Sequence, residues 1–221
     1  MSVEVFRSLG FAPVCEGVYS CLSPENQLTD LPKVLGAELI SHDDQGTIIW
    51  SITPSGVDAA RSHGSQEFDM HTDASFDAVP PRYVAMEVMH HDRFGGGIQS
   101  YIPLGQLSLG LSLKERVALA TDYIWDIPTE FKSDQAEAVL PILFDHTDGV
   151  GIRFRADCIQ DDNLNSKQAA ALRGLNHAIA RAQSTQHTIH TGEQLIVDNW
   201  RTLHARSPVL DKKRHIKRVR F

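Results

Sequence analysis

Cysteine is scarce in this chain. Cys15, Cys21 and Cys158 are the three cysteines among 221 residues, and no two are spaced as CxxC. So odd and sparse a set argues against a disulfide framework and against a cysteine-built zinc site, and it fits a reducing cytoplasm as the expected location. No apolar run approaches the roughly 20 residues that a membrane span needs. The stretch Met1-Ser2-Val3-Glu4-Val5-Phe6-Arg7 lacks a basic segment followed by an apolar one, so no secretory signal is expected. Net positive charge is lacking as well. The formal net charge of -7 opposes non-specific binding to nucleic acid. Internal repeats and a βαβ alternation are also missing, which sets aside solenoids and doubly wound sheets.

What is present is ordinary for a globular chain, at 42% apolar and 22% charged residues. The length allows one domain with a substantial core, and with no linker visible a single domain over residues 1–221 is expected. Strands are expected at Thr47–Ile52, Tyr83–Met89, Ile98–Ile102, Ile152–Ile159, Thr188–His190, Gln194–Asp198 and His215–Phe221. Tyr83–Met89 and Ile98–Ile102, joined through Gly95-Gly96-Gly97, read as a hairpin. Val139–Phe144 reads as a strand interrupted by Pro141. Residues 121–138 read as loop. Helices are expected at Leu31–Leu39, at Leu111–Ala120 with Ser112 as cap, and at Ser166–Gln183 with Ser166 as cap. Many unevenly spaced strands with few helices predict a mostly β fold with flanking α: a sandwich or jelly-roll barrel.

The candidate chemistry begins at His71-Thr72-Asp73. A histidine and a carboxylate two apart face the same way if the backbone is extended, because strand side chains alternate. Together they can grip one metal ion. His204, at the end of Leu195-Ile196-Val197-Asp198-Asn199-Trp200-Arg201-Thr202-Leu203-His204, is the candidate third ligand. Two histidines and one carboxylate on one face of an ion, with open positions opposite, suit non-heme Fe(II). The tripeptide alone is weak, because His146-Thr147-Asp148 repeats it. Gly149 follows the second copy at once, so that copy reads as a turn.

Context separates the two copies. His71-Thr72-Asp73-Ala74-Ser75-Phe76 followed by Pro81-Arg82-Tyr83-Val84 resembles the first metal motif of the TauD/TfdA group of Fe(II)/2-oxoglutarate dioxygenases, in particular its clavaminate synthase-like, amino-acid-oxidising branch. Gly192-Glu193-Gln194-Leu195 through Asp198-Asn199-Trp200-Arg201-Thr202-Leu203-His204-Ala205-Arg206 is similar to the family's Gly-Asp-x-Leu-x-x-Asp-Asn-x-Arg-x-x-His-Gly-Arg block. Ile152–Asp157 falls where the family has an arginine-rich strand, and Ala169–Ala182 where it has a long helix. The resemblance covers roughly residues 65–221, and residues 1–60 show no clear match.

The resemblance implies a double-stranded β-helix (cupin-like) core. It implies His71, Asp73 and His204 as iron ligands, with 2-oxoglutarate and O2 as co-substrates. It places an arginine about ten residues past the last histidine, on the distal carboxylate of 2-oxoglutarate. Arg214 occupies that position, and a guanidinium forks onto a carboxylate as lysine cannot. Arg218, four residues on, either assists the same carboxylate or meets the substrate. Where the family carries a threonine after its Gly-Gly turn, this chain has Ile98, so Gln99 or Ser100 takes over that contact or it is missing. Asp157 reads either as a substrate contact, as relatives use acidic residues nearby for cationic side chains, or as a surface aspartate before a turn.

The implied reaction hydroxylates an unactivated C–H bond of an amino acid or derivative, with release of succinate and CO2. Desaturation or cyclisation is the alternative outcome. The carboxylate of Asp73 argues against halogenation, for which related enzymes clear that position. A zinc hydrolase leaves Arg214 without a purpose, and a non-catalytic jelly-roll metal protein would require a closed, four-ligand site.

Overall fold

The computed structural model describes residues 3–43, 45–55, 61–131 and 136–221. Among the described residues there are five α-helices: α1 (Val3–Ser8), α2 (Leu31–Val34), α3 (Leu104–Leu109), α4 (Leu113–Leu119) and α5 (Ser166–Arg181). The strands run β1 (Ala12–Cys15), β2 (Val18–Cys21), β3 (Trp50–Ile52), β4 (Phe68–His71), β5 (Tyr83–His90), β6 (Gln99–Pro103), β7 (Asp122–Asp126) and β8 (Glu137–Pro141). They continue with β9 (Leu143–His146), β10 (Gly149–Ile152), β11 (Thr185–His187), β12 (Gln194–Asp198), β13 (Thr202–Arg206) and β14 (His215–Arg220).

Two antiparallel sheets face each other. The larger has the order β1-β2-β12-β5-β14-β3, and the smaller β11-β6-β13-β4. Within each of the two runs β4–β6 and β11–β14, successive strands alternate between the sheets: β4, β6, β11 and β13 lie in the smaller, and β5, β12 and β14 in the larger. That alternation is the double-stranded β-helix expected from the family resemblance. It also corrects the expected hairpin. Both edges of β5 are taken, by β12 and β14, while β6 pairs with β11 and β13. The Gly95-Gly96-Gly97 turn therefore carries the chain across the sandwich rather than back along one sheet.

Strand alternation divides the core. Val88, Leu195, Val197 and Ile216 point between the sheets with Tyr101 of β6. Tyr83, Ala85, Ile196, Val219 and Phe221 point outward, under Phe6, Phe11, Leu28, Leu31 and Leu35. The N-terminal residues that match nothing in the sequence motifs thus cover the outer face of the larger sheet, and β2 extends it through β12. Helices α4 and α5 pack with the β7–β8 ribbon around Trp125 and Leu175.

Several boundaries move. β7 lies inside the stretch read as loop, with Tyr123 and Trp125 alternating inward. Pro141 ends β8 in a two-stranded ribbon, and β9 follows as a separate strand that pairs with β10. Expected strand Ile152–Ile159 stops at Ile152, because Arg153 to Arg155 are buried on all sides against the turn after β4. The short helix at Leu31 ends at Val34, and the strand ahead of the first motif spans only Trp50–Ile52. The strand near residue 188 is Thr185–His187 instead. β13 had no separate sequence signal. Asp43-Asp44-Gln45-Gly46 carries a turn signal and Ser55–Ser65 reads as a helical turn or loop; Asp44 and residues 56–60 lie outside the described residues, as do 132–135 of the stretch 121–138.

Helix α4 has the expected Ser112 cap, completed into a capping box by Glu115. Helix α5 is capped by Asn165, not Ser166. The Asn165 side chain accepts from Lys167 N and Gln168 N, and Gln168 reaches back to the Asn165 N–H. Asn165→Ala removes an acceptor for two otherwise orphaned amides. It is expected to lower stability by about 1 kcal/mol, read as a lower urea midpoint at unchanged slope. An unchanged midpoint would leave the cap without energetic weight.

Candidate metal centre

β4 and β13 are neighbours in the smaller sheet, and His71 and His204 are directly paired across them. Their rings lie 4.3 Å apart, centre to centre. β4 ends at His71, so Asp73 does not reach the site by strand alternation as expected. It sits in a turn whose next residue, Ala74, has φ 52°. A left-handed non-glycine backbone is strained and persists where the surroundings over-determine it.

The surroundings are specific. Thr72 N donates to Phe154 O at 2.7 Å, and Phe154 N donates to Thr72 Oγ1 at 3.0 Å. The buried Arg153 guanidinium donates to the carbonyls of Asp77 and Ala78. Asn199, fully buried, accepts from Asp73 N at 2.7 Å and donates to Asp73 O at 3.0 Å and to Pro81 O at 2.9 Å. The turn presents the Asp73 Oδ1 atom 3.8 Å from His71 Nε2 and 3.7 Å from His204 Nε2. Among the described residues this is the one grouping of three metal-ligating side chains, with donor atoms all within 4.8 Å of one another.

The donor chemistry fits a divalent cation. His71 Nδ1 lies 2.7 Å from Asp69 O, so it carries the proton and leaves the Nε2 lone pair facing the site. Burial, with His204 beside it, holds the His71 imidazole well below its ordinary range and so neutral. Burial alone would raise the Asp73 carboxyl. The Arg218 guanidinium, with His204 and His71, overcomes this and holds it well below the usual carboxylate range. Arg218 Nη1 donates to Asp73 Oδ2 at 2.9 Å. One carboxylate oxygen is thereby occupied and the other is left facing both imidazoles. Phe68 stacks on the His71 ring at 3.7 Å.

Cavities lie on both sides of this cluster. One, of about 350 Å3, is lined by Arg61, Phe68, Phe131, Arg155 and Arg220 among others. The other, of about 60 Å3, reaches Gln99, His204, Arg206 and Arg214 between the sheets. His71, Asp73 and Arg218 line both.

Arg214 and Arg218 share the inward face of β14 and its approach, with Ile216 between them. Arg214 is buried, and its Nε has no hydrogen-bond partner. Burial, with Arg206 nearby, pushes it down to about 10. Gly97, at φ 66°, lets Arg214 pack against the glycine turn: a Cβ there would stand 2.9 Å from Arg214 Nε. Of the two candidates to replace the family threonine, Gln99 lines the inner cavity, while Ser100 is on the opposite face of β6. Asp157 stands outside both cavities, held by Arg155 and Arg61. The second His-Thr-Asp is the β9–β10 turn, and Asp148 there pairs with Arg82 at 2.6 Å.

Asn199 was within a recognised motif without an assigned role, and its clamp on a turn far away in sequence has no local signal. The same is true of Arg206, which donates to the carbonyls of Ser62, Gly64 and Gln66 and so anchors the approach to β4. His42, also unforeseen, lies at the wall of the larger cavity with Nε2 3.2 Å from Arg218 O. Burial, with Arg218 and Arg220 alongside, pushes its imidazole from 6.5 down to about 3.

That shift has a sign. Below pH 6.5 the unfolded chain takes up a proton that the folded imidazole refuses until about pH 3. Stability is therefore fully present above pH 6.5 and falls as the pH drops through that window, by up to about 1.4 kcal/mol per pH unit for this group. Urea unfolding of the metal-free protein at pH 6.5 and pH 5 is expected to show the loss, and His42→Gln to reduce it. An identical pH slope in the variant would remove His42 from the account.

Fold and site define a double-stranded β-helix protein with a two-histidine, one-carboxylate face between its sheets. The family model described as "Taurine catabolism dioxygenase TauD, TfdA family" matches residues 127–220. The TauD/TfdA resemblance therefore stands for this C-terminal part, which contains His204, Arg214 and Arg218. No curated protein sequence matches the chain.

Solved structures match its fold. An asparagine oxygenase in complex with Fe(II), 2S,3S-3-hydroxyasparagine and succinate aligns with TM-score 0.71 at 20% identity, over 100% of this chain and 71% of that one. Another structure of asparagine oxygenase (AsnO) gives 0.64 at 20% identity, over 79% of this chain and 55% of that one. The non-heme iron oxygenase OrfP in complex with Fe and alpha-ketoglutaric acid gives 0.69 at 17% identity, over 97% and 70%. The chain thus spans about half to seven-tenths of these proteins.

Proposed function

We propose that the protein is an Fe(II)- and 2-oxoglutarate-dependent oxygenase of an amino acid or amino-acid derivative. His71, Asp73 and His204 are its metal ligands. The reading rests above all on one observation: Asp73 Oδ1 faces both imidazole Nε2 atoms while Arg218 occupies Oδ2. Three ligands on one face leave positions free for a chelating co-substrate and O2, whereas a structural site would be closed. The matched family segment and the solved oxygenases of the same fold support the same chemistry.

Fe(II) held by His71, Asp73 and His204 would supply O2 activation coupled to decarboxylation of 2-oxoglutarate. The balance is one C–H bond, 2-oxoglutarate and O2 converted to C–OH, succinate and CO2. Arg214, in the inner cavity, receives the distal carboxylate of 2-oxoglutarate, with Gln99 at its side. Arg218 orients Asp73. Asn199 fixes the backbone that carries Asp73. The larger cavity, with Phe68 and Phe131 in its wall, admits the molecule to be oxidised to one side of the metal face.

The test is release of succinate from 2-oxoglutarate by the purified protein with Fe(II) under air, with and without a panel of amino acids and derivatives. Stimulated release with a product 16 mass units heavier supports hydroxylation, and one 2 units lighter indicates desaturation or ring closure. If neither Fe(II) nor 2-oxoglutarate binds, the oxygenase reading is wrong.

A further inference from the structure

Among the described residues, those lining the larger cavity are short of free carboxylates and rich in guanidinium. Asp157 could hold a cationic side chain only if its oxygens were available. Arg155 Nε and Nη2 donate to them at 3.1 and 3.3 Å, and Arg61 Nη1 donates at 2.8 Å. One aspartate thus serves two guanidiniums, and one positive charge is left over. Asp69 approaches Arg61 only to 3.9 Å and is largely exposed, where a pair contributes little.

Both guanidiniums lie over the Phe68 ring, Arg61 at 5.4 Å and Arg155 at 5.6 Å from its centre. They line the cavity and Asp157 does not. Arg155 is itself buried, so its charge is poorly screened. Arg220 adds a third cation on the wall, 4.0 Å from Asp77. The other lining carboxylates are committed: Asp73 to Arg218, and Asp43 to its own turn through Thr47 and Gln45.

We infer that the molecule oxidised carries an anionic side-chain terminus, a carboxylate or a phosphate or sulfonate of like charge, which docks against Arg61 and Arg155 above Phe68. The inference rests on the oxygenase reading and narrows it to acidic amino acids or their derivatives. Guanidinium forks suit such groups because two parallel N–H donors match two oxygens. A cationic or neutral amide side chain would leave the surplus charge unpaired. Phe68 connects this pocket to the metal face, since the same ring stacks on His71.

The experiment uses the full chain loaded with Fe(II) and 2-oxoglutarate under nitrogen. Loading is first verified by the visible absorbance of the iron–2-oxoglutarate chelate. Its failure would sink the oxygenase reading itself. Calorimetry then compares L-aspartate, L-glutamate, O-phospho-L-serine and L-cysteate with L-asparagine, L-glutamine and L-arginine. At least one acidic ligand is expected to bind tenfold or more tightly than every neutral and cationic one. Which acid leads separates carboxylate from phosphate or sulfonate.

Arg155→Gln and Arg61→Gln are each expected to reduce that preference, and Asp157→Asn to keep or increase it. The inference is overturned, with the oxygenase reading intact, if the loaded protein shows no acidic preference. Retention of the preference in both arginine variants, or its loss in Asp157→Asn, overturns it equally.

Discussion

Asn199→Leu is expected to abolish tight metal binding and to lower the stability of the metal-free fold by about 3–6 kcal/mol. The side chain is fully buried and shaped like its replacement. Leucine fills the space yet leaves three backbone groups without partners: Asp73 N, Asp73 O and Pro81 O. Each buried orphan costs about 1–3 kcal/mol, less whatever relaxation recovers. The turn that carries Asp73 includes the left-handed Ala74, so it relaxes readily once released.

The Asp73 carboxylate then no longer faces His71 and His204 together, and a three-point site falls to two. Urea unfolding in chelator reads the stability loss, and calorimetric titration with Mn(II), a non-oxidising stand-in for Fe(II), reads the affinity. Asn199→Asp preserves the acceptor for Asp73 N and loses the two donated bonds, so its stability is expected to lie between the two. Wild-type metal affinity in Asn199→Leu would show that the clamp plays no part in presenting Asp73.

Arg214→Leu is expected to do the opposite to stability and to spare the metal. The guanidinium is almost wholly buried, its Nε is unpartnered, and Arg206 is a like charge nearby. A buried cation of this kind is tolerated rather than stabilising, and an apolar replacement is often neutral or better. Its purpose under the proposed function is the distal carboxylate of 2-oxoglutarate. Losing a forked, charge-assisted pair costs about 3 kcal/mol, on the order of a hundredfold in affinity. Mn(II) affinity measured without 2-oxoglutarate is expected to change by less than about threefold, because Arg214 makes no contact with the three ligands. Arg214→Lys keeps the charge but not the fork and is expected to recover only part of the loss. Equal losses of metal and co-substrate binding would place the co-substrate elsewhere.

The two variants divide the site along its construction. Asn199 acts on Asp73 through the backbone, from a segment 126 residues away. Arg214 acts from the inward face of the last strand's approach, and the glycine turn at residues 95–97 makes room for it. Gly97 has φ 66° and no space for a Cβ, which explains the glycine at the position where a side chain would displace Arg214.

Much of this was legible in the residues. The donor types His71, Asp73 and His204 follow from what a divalent cation accepts. Ser112 as cap, with the apolar spacing of Leu111–Ala120, located α4, and the apolar run within Gln194–Asp198 located β12. Local pattern failed where a residue's environment is supplied from far away. Asp157 reads as an available acid until Arg61, 96 residues earlier, is seen to bind it. Arg153 and Arg155 look like the polar face of a strand, yet one pins the turn that carries Asp73 and the other lines the cavity. Tyr83–His90 and Gln99–Pro103 look like a hairpin because nothing local says that β12 and β14 already fill both edges of β5.

By itself, then, the sequence determined the kinds of group offered at His71-Thr72-Asp73 and His204, the Ser112 cap of α4, and the placement of its longest strands. These depend on side-chain chemistry and on periods of a few residues. The tertiary structure brought the first His-Thr-Asp up to His204 and left the second in the β9–β10 turn beside Arg82. It set Asp73 in place by a strained turn instead of a strand, and it tied Asp157 to Arg155 and Arg61. In a double-stranded β-helix almost every decisive contact joins strands distant in the chain, so the partner that gives a residue its meaning is rarely its neighbour.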